Sequence, residues 1–250
     1  GAKDYTTIKR QFDFIILLFS TATGQPLATM EANAITRLRT AATTVLAAQQ
    51  LAPKDAQHLF LCGAGVQGFS HAVQLARHFP LKQITVFDPY ASQDLTERLQ
   101  TASGVKVLRA NDVQDVGDAQ IVVTASRSTT PLFSGDAIAP GAFVAAIGSS
   151  LPHTRELDDS ALKRASSIVV EWRKQALVEA GDLVLANPSI DLKSKVIELG
   201  ELVCGSHKAV AAGAGITLYK AVGVGLEDIA LAGLAYTNWQ RHNDGTFKPN

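Results

Sequence analysis

An excess of charge of either sign is the plainest thing this chain lacks: Lys plus Arg and Asp plus Glu both total 23 in 250 residues, a formal net charge of zero. With no basic field to neutralise a phosphate backbone, nucleic acid is excluded as a partner. Long apolar runs are missing as well. Phe14-Ile15-Ile16-Leu17-Leu18-Phe19 spans only six residues, against the ~20 that a membrane helix needs, so no membrane partner is expected. There are two cysteines, Cys62 and Cys204. Both lie in or beside apolar segments and read as small buried hydrophobes rather than a disulfide or a metal pair. No Ser-His-Asp set, zinc cluster, P-loop or pair of carboxylates on one helix face is present, and no metal is expected. A signal peptide is also lacking, which makes a cytoplasmic location the expectation. The chain opens on Gly1 rather than Met, so a preceding segment is expected.

A hydrophobic fraction of 46% and a charged fraction of 18% describe an ordinary globular chain, with material for one large domain or two modest ones. Its most informative stretch is Gly63-Ala64-Gly65-Val66-Gln67-Gly68, which follows the apolar run Leu59-Phe60-Leu61-Cys62 and opens a helical pattern. In such a strand, turn and helix the first glycine makes the turn. The second lets the backbone approach a pyrophosphate, and the third lets the helix pack on the strand. Asp88 ends a second apolar run, Ile84-Thr85-Val86-Phe87, where an acid would accept hydrogen bonds from the adenosine ribose. A carboxylate there repels a 2′-phosphate, so NAD(H) is preferred, with NADP(H) possible. Thr124, Ala125, Ser126 and Gly148 complete the expected cofactor set with Gly63, Gly65, Val66, Gln67, Gly68 and Asp88. Similar glycine turns also bind S-adenosylmethionine, or nothing.

Further short apolar runs at 105–108, 121–124, 142–147 and 167–170 bring the strands to six, each dense enough to be buried on both faces of a parallel sheet. The reading is therefore α/β: a Rossmann doubly wound parallel sheet over 52–209. Phe69, Ala72, Val73 and Ala76 form the buried stripe of its first helix, closed by Pro80, with His71 and His78 as solvated or boundary residues. A second helix is expected from an N-cap at Ser92, with Leu95, Leu99 and Ala102 inward and Gly104 as its stop. The flanks differ. Residues 12–19 and 27–30 read as a hairpin around Thr23-Gly24-Gln25-Pro26. Residues 37–51 read as an Ala-rich helix, its 39–51 part connecting the domains. The helical segment 218–236 presents Leu226, Ile229, Ala230, Gly233 and Leu234 for packing. Segments 1–38 and 210–250 are thus expected to form a discontinuous α+β substrate-binding and dimerisation domain. A small-molecule substrate would meet the cofactor in the cleft between domains, and the apolar end segments point to a homodimer.

Arg39, in Arg37-Leu38-Arg39-Thr40-Ala41-Ala42, is a bidentate donor suited to a carboxylate. That motif, the glycine turn, Ala146-Ile147-Gly148-Ser149-Ser150-Leu151-Pro152 with Arg155-Glu156-Leu157-Asp158, and Ile216-Thr217-Leu218-Tyr219-Lys220 with Leu226-Glu227-Asp228 occur in one order. Together they resemble the ornithine cyclodeaminase/μ-crystallin family over essentially the whole chain. The resemblance implies a homodimer acting on an amino or imino acid with a nicotinamide. Arg39 matches the arginine that grips the substrate carboxylate, and Lys3 matches a substrate-contacting lysine. A further substrate-binding arginine is implied before Gly1.

Where the family's cyclodeaminases carry an aspartate base, this chain has Ser150. A hydroxyl relays or donates a proton but does not replace a carboxylate base. The expected activity is therefore NAD(P)H-dependent reduction of a cyclic imino acid, Δ1-pyrroline-2-carboxylate or Δ1-piperideine-2-carboxylate, to proline or pipecolate, with Ser150, Lys3 and Arg39 as the catalytic set. The alternatives are ornithine cyclodeaminase, alanine dehydrogenase, an opine-type synthase, or a non-catalytic nucleotide-dependent binder of small ligands.

Overall fold

The computed structural model describes residues 14–208, 213 and 215–243. Its contacts divide the chain into two units, Gly1–Arg39 with Gly225–Asn250 and Thr40–Val224.

The larger unit is built on an eight-stranded parallel sheet. Its strands are β3 (His58–Cys62), β4 (Gln83–Phe87), β5 (Lys106–Arg109), β6 (Ile121–Thr124), β7 (Phe143–Ala146), β8 (Ala165–Val170), β9 (Val196–Glu198) and β10 (Ile216–Lys220), with β1 and β2 lying in the other unit. Their spatial order is β5-β4-β3-β6-β7-β10-β8-β9. All described strands in this sheet pair in parallel. Alternate residues of each strand feed two cores. Leu59, Leu61, Val123, Ala145 and Tyr219 point to one face. Phe60, Cys62, Val122, Val144 and Leu218 point to the other. Burial on both faces explains why these strands read as continuous apolar runs rather than alternating ones.

The first face is covered by α1 (Asn33–Leu51), α2 (Val66–His78), α3 (Leu95–Ser103) and α8 (Leu199–Val203). Ala47 and Ala48 of α1 are fully buried, their small side chains bringing the helix close to the sheet. The other face is covered by α4 (Asp159–Arg164), α5 (Arg173–Glu179), α6 (Gly181–Val184) and α7 (Leu192–Lys195), together with 3-10 turns at Val113–Asp118 and Gly135–Ala137. Helix α2 stops at His78 because Phe79 before Pro80 is extended, with φ −125° and ψ 151°, as a residue preceding proline prefers. Gly104 closes α3 in the left-handed region at φ 71°.

The structure corrects several expectations. Segment 216–220, assigned from sequence to the terminal domain, is a central strand between β7 and β8. The sheet unit therefore runs to Val224 rather than 209. Helix α1 begins at Asn33, not 37. The N-cap of α3 is Asp94 rather than Ser92, and Ala102 is exposed. Cys204 is exposed, whereas Cys62 is buried as expected.

The smaller unit holds a hairpin, β1 (Ile15–Phe19) and β2 (Pro26–Glu31), and α9 (Gly225–Asn243). Ile16, Ala32 and Ala232 form its small buried core. The expected packing face of α9 is largely uncovered, for Leu226, Ile229, Ala230 and Leu234 are exposed.

His71 is fully buried on α2 rather than solvated. Its Nδ1–H donates to the Gln67 carbonyl at 2.7 Å, so Nε2 accepts from the Thr44 hydroxyl at 3.0 Å. Burial lowers its pKa to about 4 from 6.5, against a smaller upward pull from the Gln67 bond. A histidine buried neutral contributes stability that is complete above its unfolded pKa of 6.5 and lost as pH falls towards 4. Urea unfolding should therefore show a loss on the order of 2 kcal/mol between pH 7 and pH 5. His71→Gln should flatten that part of the profile, and an unchanged slope would contradict the assignment.

Candidate functional site

Strand order reverses at β3: β4 and β5 lie on one side of it and β6 on the other. In open α/β sheets the crevice beyond the carboxyl ends of such strands is where ligands bind. The glycine turn lies there, between β3 and α2. Gly63 has φ +86°, and a Cβ on it would lie 2.7 Å from the Ala125 carbonyl oxygen. A Cβ on Gly68 would lie 1.9 Å from the Gly63 oxygen. These two positions are closed by protein, so glycine is required for the backbone itself. Gly65 differs, because a Cβ there would meet nothing within 4 Å. It is the N-cap of a 13-residue helix and has no side-chain cap. An open approach to an uncapped helix N-terminus suits a pyrophosphate, so the residues present fit a dinucleotide.

Asp88, immediately beyond β4, shapes the same turn. Its Oδ2 accepts from the Ala64 N–H at 2.8 Å and its Oδ1 from the Tyr90 N–H at 2.9 Å. The carboxylate is thereby oriented at the end of β4, where a ribose hydroxyl would meet its remaining lone pairs. Val66 is exposed at the start of α2, and Gln67 is half-buried.

Beyond β6 and β7 the structure shows a group whose role the sequence did not disclose. Glu156 is fully buried. Its Oε1 accepts from Ser126 N at 2.6 Å and Ser126 Oγ at 2.7 Å. Its Oε2 accepts from Thr124 Oγ1 at 2.9 Å, Gly148 N at 2.8 Å and Ser149 N at 3.2 Å. Three of the expected cofactor residues, Thr124, Ser126 and Gly148, are thus tied to one carboxylate. A Cβ on Gly148 would lie 2.5 Å from Glu156 Oε1 and 2.0 Å from the Ser126 oxygen, so only glycine admits the side chain here.

Asp182 and Lys220, also fully buried, support Glu156 from behind. Asp182 Oδ1 accepts from the backbone N–H groups of Glu156 and Leu157 at 2.7 and 2.9 Å. Asp182 Oδ2 lies 3.4 Å from Lys220 Nζ, which also donates to the Ala146 carbonyl at 3.0 Å. Burial pushes the Glu156 pKa up, while Lys220 and the Ser126 donors pull it down. Backbone N–H groups occupy both oxygens and can only donate, which favours the anion. Burial, and then the Glu156 charge, drive the Cys62 thiol well above its usual range, leaving it inert.

Ser150 is half-buried beside this cluster, its N–H bonded to the Gly148 carbonyl at 3.0 Å. In the smaller unit Arg39 is gripped by α9: Nη1 meets Glu227 Oε2 at 3.0 Å and Nε meets Asp228 at 3.2 Å. Thr36 Oγ1 donates to the same aspartate at 2.8 Å. Arg39, Thr36 and Asp228 line a largely apolar pocket with Phe14, Ile15, Ile16, Ala32, Gly225 and Ile229. Lys3 lies outside the described residues. No cluster of metal-ligating side chains occurs among the described residues, and no described helix is long and apolar enough to cross a membrane.

The two glycines separate by their surroundings. Gly68→Ala forces backbone against backbone and should lower stability by about 2 kcal/mol or more in chemical unfolding. Gly65→Ala should cost under ~1 kcal/mol. Equal losses would contradict the open approach at Gly65.

The profile of the ornithine cyclodeaminase/mu-crystallin family matches residues 3–243. Ketimine reductase mu-crystallin of Rattus norvegicus is 34% identical over 225 residues, covering 90% of this chain and 69% of that protein. The crystal structure of a probable ornithine cyclodeaminase from Bordetella pertussis Tohama I superposes with a TM-score of 0.91 at 56% identity, over 97% of this chain and 78% of that one. Thermococcus litoralis Delta(1)-pyrroline-2-carboxylate reductase, solved with NADH and L-proline, gives a TM-score of 0.85 at 27% identity, over 94% and 73%. Family profile, sequence relatives and superposed structures agree that the chain belongs to the ornithine cyclodeaminase/mu-crystallin family.

Proposed function

We propose that this protein is an NAD(P)H-dependent reductase of cyclic imino acids, converting Δ1-pyrroline-2-carboxylate or Δ1-piperideine-2-carboxylate to proline or pipecolate. The observation that carries the reading is the state of the loop beyond β7. Ser150 stands where cyclodeamination needs a carboxylate base, and the nearby carboxylate, Glu156, is buried with both oxygens filled by donors. Neither group can act as a general base for an amine. Reduction of a C=N bond needs no such base. The reductase relatives, ketimine reductase mu-crystallin and the pyrroline-2-carboxylate reductase, support the same choice.

A nicotinamide held in this site would supply the hydride for reduction of the imine carbon. Arg39 holds the substrate carboxylate, and Glu227 and Asp228 fix its guanidinium so that little orientational freedom is lost on binding. Lys3 is assigned a second contact to substrate. The Ser150 hydroxyl, directly or through a water, delivers the proton taken up by nitrogen as the π pair moves onto it. Asp88 receives the adenosine ribose, favouring NADH over NADPH, and Gly63, Gly65, Val66, Gln67 and Gly68 form the pyrophosphate turn. Thr124, Ala125, Ser126 and Gly148 would hold the nicotinamide half.

On the hairpin, Ile15, Leu17 and Phe19 alternate on one strand face and are 71%, 55% and 55% exposed. Leu226, Ile229 and Leu234 of α9 are also exposed, and a second copy of the chain is the proposed cover for these apolar side chains.

Steady-state assays with both cyclic imines, pyruvate plus ammonia, and ornithine should show turnover confined to the imines, with kcat/KM higher for NADH than for NADPH. Turnover of ornithine would overturn the reaction, and a preference for NADPH would overturn the role of Asp88. Arg39→Lys keeps the charge but loses the fork, and should lower kcat/KM about 100-fold or more. Sedimentation equilibrium at micromolar concentration should return twice the chain mass; a single-chain mass would contradict the proposed cover.

A further inference from the structure

The buried cluster beyond β6, β7 and β10 has a composition that simple loop packing does not require. Five donors converge on Glu156 from the segments 124–126 and 148–149. Neutral side chains are enough to join two loops, yet here the joint is an ion. With Glu156 the anion that its five donors favour, Glu156, Asp182 and Lys220 contribute two negative charges and one positive charge, all fully buried, and the cluster then carries one net negative charge. Its charge is weakly screened because solvent does not reach it.

The position of this charge follows from the sheet. In a doubly wound fold one half of the strands serves each mononucleotide. The turn after β3 and Asp88 after β4 belong to the adenosine half. The segments after β6 and β7 belong to the other half, where the nicotinamide would lie. An oxidised nicotinamide ring is cationic and a reduced one neutral, so an anion buried behind these segments acts differently on the two.

We infer that Glu156 is a positioning residue that also sets the redox preference of the nucleotide site. It locks Ser126 and Gly148 in place for either form of the cofactor, and its charge raises affinity for NAD⁺ relative to NADH. Lys220 moderates that bias through Asp182. The inference rests on the nucleotide-binding reading given above and deepens it.

The test is the ratio of two dissociation constants on the full chain, with NADH measured by its own fluorescence and NAD⁺ by competition against it. Circular dichroism and thermal melting identify the folded variants. Glu156→Gln should weaken NAD⁺ roughly tenfold more than NADH. Lys220→Met makes the cluster more negative and should move the ratio the opposite way, towards NAD⁺. It decides the matter alone if Glu156→Gln does not fold. Equal weakening of both nucleotides in folded Glu156→Gln, or a Lys220→Met ratio that is unchanged or shifted towards NADH, would overturn the redox role. Failure of the unmodified protein to bind either nucleotide would overturn the underlying nucleotide reading instead.

Discussion

The pairing of β10 with β7 on one side and β8 on the other joins the sheet into a single structure. Without it, β5-β4-β3-β6-β7 and β8-β9 would be two separate sheets with unpaired edges, the state that folded proteins avoid. All five β10 residues are buried. Residues 217–220 register against 143–146 and against 167–170, which lie roughly 50 to 75 residues earlier. Closing so long a loop costs entropy before any of these contacts form. The continuous apolar surface of Ile216, Leu218 and Tyr219 on opposite faces offsets it, at roughly 25 cal/mol per Å² buried.

The same strand ends in Lys220, which places an ammonium inside the protein. Burying a charge is tolerated only with compensation. The compensation organises the neighbouring chain: Lys220 meets Asp182 and the Ala146 carbonyl, Asp182 holds the Glu156 backbone, and the Glu156 side chain gathers the loops after β6 and β7. Position along the strand, satisfaction of a buried charge and loop geometry are therefore linked. An apolar cluster of equal volume would be cheaper to bury. It would not fix N–H groups at Gly148 and Ser149 through directional bonds.

The smaller unit works by different means. Among the described residues its buried core gathers around Ile16, Ala32 and Ala232, with Leu18, Met30 and Ile35 packed against it. Ion pairs from Arg39 to Glu227 and Asp228, with the Thr36 bond, join α1 to α9. These contacts are partly buried, so they retain directionality without the full cost of removing charge from water.

Much of this protein was written locally. The runs at β3, β4, β6 and β7, the proline after α2, the glycine closing α3 and the turn at Gly63–Gly68 were legible because backbone preference and apolar periodicity act over a few residues. The family motifs carried Arg39, Ser150 and Lys3, and the last lies outside the described residues. Only the tertiary structure decided that 216–220 enters the middle of the sheet, since strand order depends on pairing partners far away in sequence. It also decided that His71 is buried, that the expected face of α9 is open, and that Glu156 binds its five donors. A glutamate has the same residue type at the surface or inside. Which it becomes is set by donors that converge from two segments, 124–126 and 148–149, and no local sequence pattern encodes that convergence.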